Sequence, residues 1–206
     1  MRLLTSLIFF MAAGLPAMAE PITLSASSFP AGSYIFDFQF INGDQVVGNN
    51  TATISGFTAS GVSLTSLQTF GPVTGTGLAS GLTLVDGPIT EVQEAFTSSG
   101  APWNIAFDVS STGNYSGPGP DDALTFTITD TSLNPINSSG DGSLLEADIT
   151  GQNSPLNTFA ADPAFGSIQP ELGSATVPEP SSVAVVSLAF LVGVRARQRR
   201  CGRVQR

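Results

Sequence analysis

The chain has no histidine and no lysine, a single cysteine, and no basic side chain between residues 20 and 194. Its seven basic residues are all arginines: Arg2 near the N-terminus and six at or beyond Arg195. The long middle part therefore cannot hold a Ser-His-Asp triad, a catalytic cysteine, a Schiff-base lysine or an arginine phosphate clamp. The usual zinc and haem ligand sets are excluded for the same reason. Because the one cysteine is Cys201, the middle part also forms no disulfide.

The middle part contains aspartate and glutamate residues over its whole length and no basic side chain to balance their charge. Such a surface repels nucleic acid and anionic lipid headgroups, so we expect no nucleic-acid partner. It favours solubility, and it attracts divalent cations or basic partners. Function must therefore come from carboxylates, amides, hydroxyls and aromatic rings, or from the two ends of the chain.

The N-terminal residues 1–19 have the pattern of a secretory signal peptide. Arg2 precedes an apolar stretch from Leu3 to Leu15. Ala17 and Ala19 then form the small-x-small cleavage pattern, which predicts cleavage before Glu20. We therefore expect the rest of the chain to cross a membrane.

The C-terminal residues 177–206 combine three features in a fixed order. Val177, Pro178, Glu179 and Pro180 form a stiff, extended polar motif, because each proline restricts itself and the residue before it. An uncharged apolar run fills positions 181–194. As a helix it spans roughly 21 Å, less than the ~30 Å hydrocarbon core, so snorkelling and bilayer thinning must cover the difference. A basic cluster follows at once and should stay cytoplasmic; it consists of Arg195, Arg197, Arg199 and Arg200.

This order of proline motif, apolar run and arginine cluster resembles the C-terminal sorting signal of PEP-CTERM proteins. The resemblance covers about the last thirty residues, and the additional residues Cys201–Arg206 depart from the usual ending. Proteins with this signal are exported by Gram-negative bacteria and handled by a membrane enzyme called exosortase. The resemblance implies export through the inner membrane, a transient single transmembrane helix, and a place in the cell envelope or extracellular matrix in association with exopolysaccharide. The alternative is a plain C-terminal tail anchor with a proline-bearing stalk.

Between the two ends, alternating apolar and polar residues predict strands throughout. In one segment Tyr34, Phe36, Phe38 and Phe40 fall on one face. A second segment, from Trp103 to Val109, alternates in the same way. Further strand candidates are Val62–Phe70 and Gly77–Val85. About eight to ten short strands separated by turn residues predict an all-β fold, an antiparallel β-sandwich with a jelly roll as one form of it.

The domain boundaries follow from these patterns. We predict a β-sandwich domain at 20–165, a linker at 166–176, and the sorting signal at 177–206. The segment Ile89–Phe96 is compatible with a short helix as well as with a strand. Phe159 and Phe165 are expected to anchor the loops that precede the linker.

Carboxylates are the only groups in this domain with catalytic or metal-binding capacity. A glycosidase pair could be formed by Glu91 with Glu94, or could include Asp108. Oxygen ligands for calcium could come from two groups of acids: Asp121, Asp122 and Asp130, or Asp141, Glu146 and Asp148. Neither group has the spacing of a calcium-binding loop. We therefore expect no catalytic residue, no metal and no cofactor.

Three functions follow from these observations. The first is a non-enzymatic envelope or matrix protein whose tail is read by an exosortase-type enzyme. The second is a carbohydrate-binding surface module, assisted by calcium, in which Trp103 or Tyr115 stacks on sugar. The third is a carboxylate glycosidase, which the sequence favours least.

Overall fold

The computed structural model describes residues 19–26, 29–114, 119–136, 142–149, 156–161, 165, 168 and 170–173. Within these ranges the regular structure is β-strand, apart from a three-residue 3-10 turn at Leu78–Ser80 and the 3-10 conformation of Phe165. The strands, in chain order, are β1 (Glu20–Ala26), β2 (Gly32–Ile41), β3 (Thr51–Ser60), β4 (Val62–Phe70), β5 (Val73–Gly75), β6 (Leu82–Val85), β7 (Glu91–Ser98), β8 (Trp103–Ser111), β9 (Asp122–Asp130), β10 (Leu145–Ile149), β11 (Leu156–Thr158) and β12 (Glu171–Leu172).

The strands form two six-stranded sheets in which every neighbouring pair is antiparallel. The first sheet has the order β12-β1-β8-β3-β6-β5, and the second has the order β11-β10-β9-β2-β7-β4. The all-β prediction is therefore confirmed, with a sandwich-like arrangement of two antiparallel sheets.

The core lies between the sheets and is dominated by phenylalanine. The inward residues of β2 are Tyr34, Phe36, Phe38 and Phe40, and all four are buried, as their spacing predicts. Phe38 of the second sheet contacts Phe107 of the first with ring centroids 5.5 Å apart, so the two sheets pack against each other through aromatic rings. Burying one such ring contributes roughly 1.5–3 kcal/mol to stability.

One segment that was compatible with two structures is a strand, and one predicted strand is divided. The segment Ile89–Phe96, for which a helix was possible, contains most of β7, with Val92, Glu94 and Phe96 directed inward. Alternating burial of this kind requires the two-residue period of a strand. Positions 77–85, predicted as one strand candidate, divide into the 3-10 turn and the short strand β6.

The first sheet also uses residues near both ends of the predicted domain. β1, which the strand patterns did not single out, pairs with β8 and with β12. β12 and the buried Ile168 lie inside positions 166–176, so the domain continues into the segment predicted as a linker. Phe165 is partly buried and packs its ring against Phe29, as an anchoring residue should.

The predicted signal peptide and sorting signal lie almost entirely outside the described residues. Ala17, the motif Val177–Pro180 and the four arginines from Arg195 to Arg200 are among the residues not described. Ala19 and Glu20 are described, and Glu20 is the first residue of β1. In the described part of the chain, no helix has the length and apolar character needed to cross a membrane.

Candidate functional site

The outward side of the second sheet carries neighbouring amide and carboxyl groups. Because β2 directs its aromatic residues inward, Asp37 and Gln39 project from the opposite side of the strand. Asp37 is directly opposite Gln93 on β7, and Gln39 is directly opposite Glu91. Directly opposed residues of an antiparallel pair project from the same face. The four side chains therefore form a square on the outside of the sheet.

The neighbouring strand β4 adds one side chain beside each of the two β7 residues in this group. Gln68 is opposite Gln93, and Phe70 is opposite Glu91. Phe70 is 44% exposed, which is unusual for a phenylalanine in a chain that buries most of its rings. We call these residues the polar face; its members are Asp37, Gln39, Gln68, Phe70, Glu91 and Gln93.

Each acid of the polar face accepts a hydrogen bond from a glutamine two residues away on its own strand. Gln39 Nε2 donates to Asp37 Oδ2 at 3.1 Å, and Gln93 Nε2 donates to Glu91 Oε1. Asp37 is only 5% exposed. Burial raises the pKa of Asp37 from 3.8 to about 7, the charge of Glu91 and a hydrogen bond with its carboxylate add to the rise, and the Gln39 amide opposes it. The neutral form of Asp37 therefore persists to a higher pH than that of an ordinary aspartic acid.

A groove of about 400 Å³ adjoins the polar face at one end of the sheet. Gln39 and Glu91 belong to both, so the two features are continuous. The walls of the groove include the apolar side chains of Ile41, Val47 and Ile89, which are 49%, 62% and 67% exposed. Exposed apolar side chains that cluster in a groove are typical of binding sites rather than of general protein surface.

The polar face and the groove together offer a defined set of contacts. Glutamine amides both donate and accept hydrogen bonds, and the carboxyl oxygens of Glu91 accept them. Phe70 and the groove walls add apolar surface beside these groups. This combination suits a ligand that presents hydroxyl groups next to apolar C–H faces.

The glycosidase pair suggested by the sequence is wrong. Glu91 projects outward from β7, whereas Glu94 is buried and accepts a hydrogen bond from the Leu78 amide at 2.8 Å. The two carboxyls lie on opposite sides of one strand. The third candidate, Asp108, lies on β8 in the other sheet. Asp37 and Glu91, by contrast, lie diagonally on the outer face of one sheet, and the charge of Glu91 adds to the raised pKa of Asp37.

Stacking of a sugar on Trp103 is also excluded. Trp103 is 2% exposed and packs its ring edge-on against Phe29 at 5.3 Å. The tryptophan is therefore part of the core, as its place in an alternating strand predicts. Tyr115, the other candidate for stacking, lies outside the described residues.

The first of the two acid groups considered for calcium is not brought together either. Asp122 and Asp130 lie at opposite ends of the nine-residue β9, roughly 27 Å apart at about 3.4 Å per residue. Asp130 instead accepts hydrogen bonds from the amides of Ser132 and Asn134 in a tight turn. In the second group, Glu146 and Asp148 lie on β10, while Asp141 is outside the described residues.

Asp122 lies close to two other acids that are far from it in the sequence. Asp44, Asp86 and Asp122 are all buried, and each offers a carboxylate oxygen within 4.8 Å of the others. Burial raises the pKa of Asp86; the charges of Asp122 and Asp44 add to this rise, while the main-chain amides of Asn50 and Gly48 oppose it. No local pattern in the sequence predicts this cluster, because its three acids come from segments far apart in the chain.

Comparisons with protein-family models, with curated proteins and with solved structures found no match to this chain. The functional argument therefore rests on the geometry of the chain itself.

Proposed function

We propose that this chain is an exported, non-enzymatic protein of the bacterial cell envelope or extracellular matrix, and that its domain associates with polysaccharide. The observation that carries the proposal is the polar face with its adjoining apolar groove. A sugar ring presents hydroxyl groups at its edge and C–H groups on its faces, and amides, carboxyls and an exposed ring complement both. Glu91 and Glu94, the pair that a glycosidase would need, project from opposite sides of β7, which supports binding rather than hydrolysis.

The strand order supports a jelly roll as the finer description of the fold. The series β1-β8-β3-β6 in the first sheet and β2-β7-β4 in the second is the order that two Greek keys give in a double-sheet jelly roll. β9 to β12 extend the two sheets beyond this unit. Ligand sites on such sandwiches are often built on an outer sheet face or at a loop end, and the polar face and groove include both.

The class of polysaccharide follows from charge. The domain has only acidic charged groups, so a uronate-rich or sulfated glycan would be repelled. We therefore propose a neutral polysaccharide as the ligand. The proposal includes the export route: a signal peptide cleaved before Glu20, and a tail at 177–206 read by an exosortase-type enzyme.

Binding can be measured by affinity electrophoresis of the purified protein in gels containing dextran, glucomannan or, as the anionic comparison, alginate. We expect retardation by a neutral polysaccharide and none by alginate. Phe70→Ala and Glu91→Gln should each weaken binding by roughly tenfold or more, because each removes a direct contact worth about 1–3 kcal/mol. Asn104→Ala changes an exposed residue of the other sheet and should bind like the wild type. Equal binding by all three variants would contradict a site on the polar face.

The sorting proposal has a separate test. Replacing Pro178, Glu179 and Pro180 by alanine should leave the domain folded but stop removal of the tail in the native host. Intact-mass measurement of the protein from cells would then show a chain that begins at Glu20 and retains residues 177–206. A variant that is still shortened at its C-terminus would rule out the motif as the processing signal.

A further inference from the structure

Three buried carboxylates converge at the end of the domain where the groove lies. Asp44 follows β2, Asp86 follows β6, and Asp122 begins β9. Asp44 and Asp86 are fully buried and Asp122 is 1% exposed. One oxygen from each carboxylate lies within 4.8 Å of the other two.

Asp122 and Asp86 accept hydrogen bonds from uncharged donors. Asp122 Oδ1 accepts from the amides of Gly43 and Asp44 at 2.9 and 3.1 Å, and its Oδ2 accepts from Asn50 Nδ2 at 2.8 Å. Asp86 Oδ1 accepts from the Asn50 amide at 2.9 Å. Since no Lys, Arg or His occurs between residues 20 and 194, no basic side chain of this domain can neutralise the cluster.

The local backbone is built to bring these groups together. Asp44 Oδ1 accepts from the Val46 amide two residues on, at 2.8 Å, in an Asx-type turn. Gly43 lies so close to the start of β9 that a Cβ atom there would fall 2.1 Å from the Asp121 carbonyl oxygen. A side chain at position 43 would push the loop of Asp44 away from Asp122.

One carboxylate oxygen of the cluster has no hydrogen-bond donor among the described residues. Asp86 Oδ2 is buried and has no hydrogen-bond donor within the part of the chain that the structure describes. Leaving a buried charged oxygen without a partner costs several kcal/mol unless something else binds it. The orphaned oxygen belongs to a fully buried side chain whose nearest charged neighbours are the other two carboxylates.

We propose that Asp44, Asp86 and Asp122 bind a calcium ion. An all-oxygen carboxylate site suits hard cations rather than zinc or copper. Two oxygens on one calcium ion, at about 2.3–2.6 Å each, can be at most roughly 5 Å apart, which accommodates the observed span of 4.8 Å. Magnesium, at about 2.1 Å, would require the oxygens to move to within roughly 4.2 Å. Bidentate binding or bridging water completes the six to eight oxygens that calcium takes.

A bound ion would join parts of the fold that no covalent bond connects. The loops of Asp44 and Asp86 lead into β3 of the first sheet and β7 of the second, and Asp122 begins β9 of the second. The neighbours of two ligands, Gln45 and Gly87, line the groove. Calcium would thus hold the groove loops and tie the two sheets at this end. The inference does not depend on the proposed polysaccharide binding, because ion binding can be measured without a glycan.

The test uses protein purified from cells that express the full chain, first treated with EGTA. Equilibrium dialysis with radioactive calcium should show one tightly bound ion per chain. Addition of 1 mM CaCl₂ should raise the melting temperature by on the order of 5 °C or more, the size expected when ligand exceeds its Kd about a hundredfold. MgCl₂ at the same concentration should have a much smaller effect.

Two matched variants locate the ion. Asp86→Asn keeps an oxygen for the Asn50 amide but places an amide where the orphaned oxygen lies, so it should lose the calcium response while melting no lower than the EGTA-treated wild type. Glu94→Gln alters another buried carboxyl that accepts a main-chain amide, and it should keep the response. Hydrogen exchange of the wild type provides the location independently, with calcium-dependent protection expected at residues 43–50, 86 and 122. Absence of bound calcium, protection elsewhere, or a full response in Asp86→Asn would overturn the assignment.

Discussion

Asp37 is the acid whose protonation should be visible in the stability of the domain. Its pKa is raised to about 7 by burial and by Glu91, whereas in the unfolded chain it is near 3.9. The folded state therefore binds more protons between these values, and the contribution of Asp37 to the free energy of unfolding falls as the pH rises from about 4 to about 7. We expect Asp37→Asn to match the wild type near pH 4 and to exceed it at pH 8, by at most roughly 4 kcal/mol at about 1.4 kcal/mol per pKa unit. Urea unfolding at both pH values measures the difference.

Asp130 provides the control of opposite sign. Hydrogen bonds from the Asn134 side chain and from the main-chain amides of Asn134 and Ser132 lower the pKa of this exposed carboxyl. Its stabilising effect is present above the unfolded pKa and is lost as the pH falls through the folded value. Asp130→Asn should therefore be less stable than the wild type at neutral pH. If Asp37→Asn also lost stability at pH 8, the raised pKa of Asp37 would be disproved.

Single residues of the site were partly predictable from the sequence. The alternation that buries Phe36, Phe38 and Phe40 also requires Asp37 and Gln39 to project together on the outside. Their partners on β7 were hidden, because a helix was as compatible with that segment as a strand. The carboxylates of Asp44, Asp86 and Asp122 carry no spacing signal at all, since their convergence depends on the pairing of strands far apart in the chain.

The aromatic residues of β2 and β4 should respond very differently to truncation. Phe38 is fully buried and contacts rings of both sheets, Phe107 and Phe126. Phe38→Ala should lower the free energy of unfolding by about 3–5 kcal/mol, because it leaves a cavity between the sheets. Phe70→Ala removes a ring that is 44% exposed at the sheet edge, and it should cost less than about 1 kcal/mol. Chemical denaturation of both variants tests the comparison; similar losses would mean that Phe70 is held in the core.

At the level of strands, the long alternating segments were predicted well and the short ones poorly. β4 and β8 begin at their predicted residues, Val62 and Trp103. β1 and β12 were not predicted. β1 has a proline near its start, and β12 has only two residues. Their stability comes from pairing with each other, and β1 also pairs with β8. Pairing between distant segments leaves no mark in a local sequence pattern.

The charge of the whole domain predicts an unusual response to salt. Because the domain has acids but no basic side chains, its charge–charge interactions are repulsions. Salt screens these interactions, with a Debye length of about 10 Å at 0.1 M. Raising KCl from 10 to 500 mM in the presence of EGTA should therefore raise the melting temperature. EGTA separates this general effect from calcium binding. A melting temperature that falls with KCl would indicate stabilising ion pairs, for which this domain has no cationic partner.

The position of β1 in the first sheet has a consequence for the order in which the chain can fold. β1 pairs with β8 and β12, and β2 pairs with β7 and β9, so neither early strand has its partners until most of the domain is available. A chain leaves the ribosome, or a translocation pore, with its N-terminus first. Its early segments therefore lack their pairing partners and remain unfolded for most of that passage, and the long-range strand pairings form late. A sheet that is closed by its last strands is well suited to the export across a membrane that we propose for this chain.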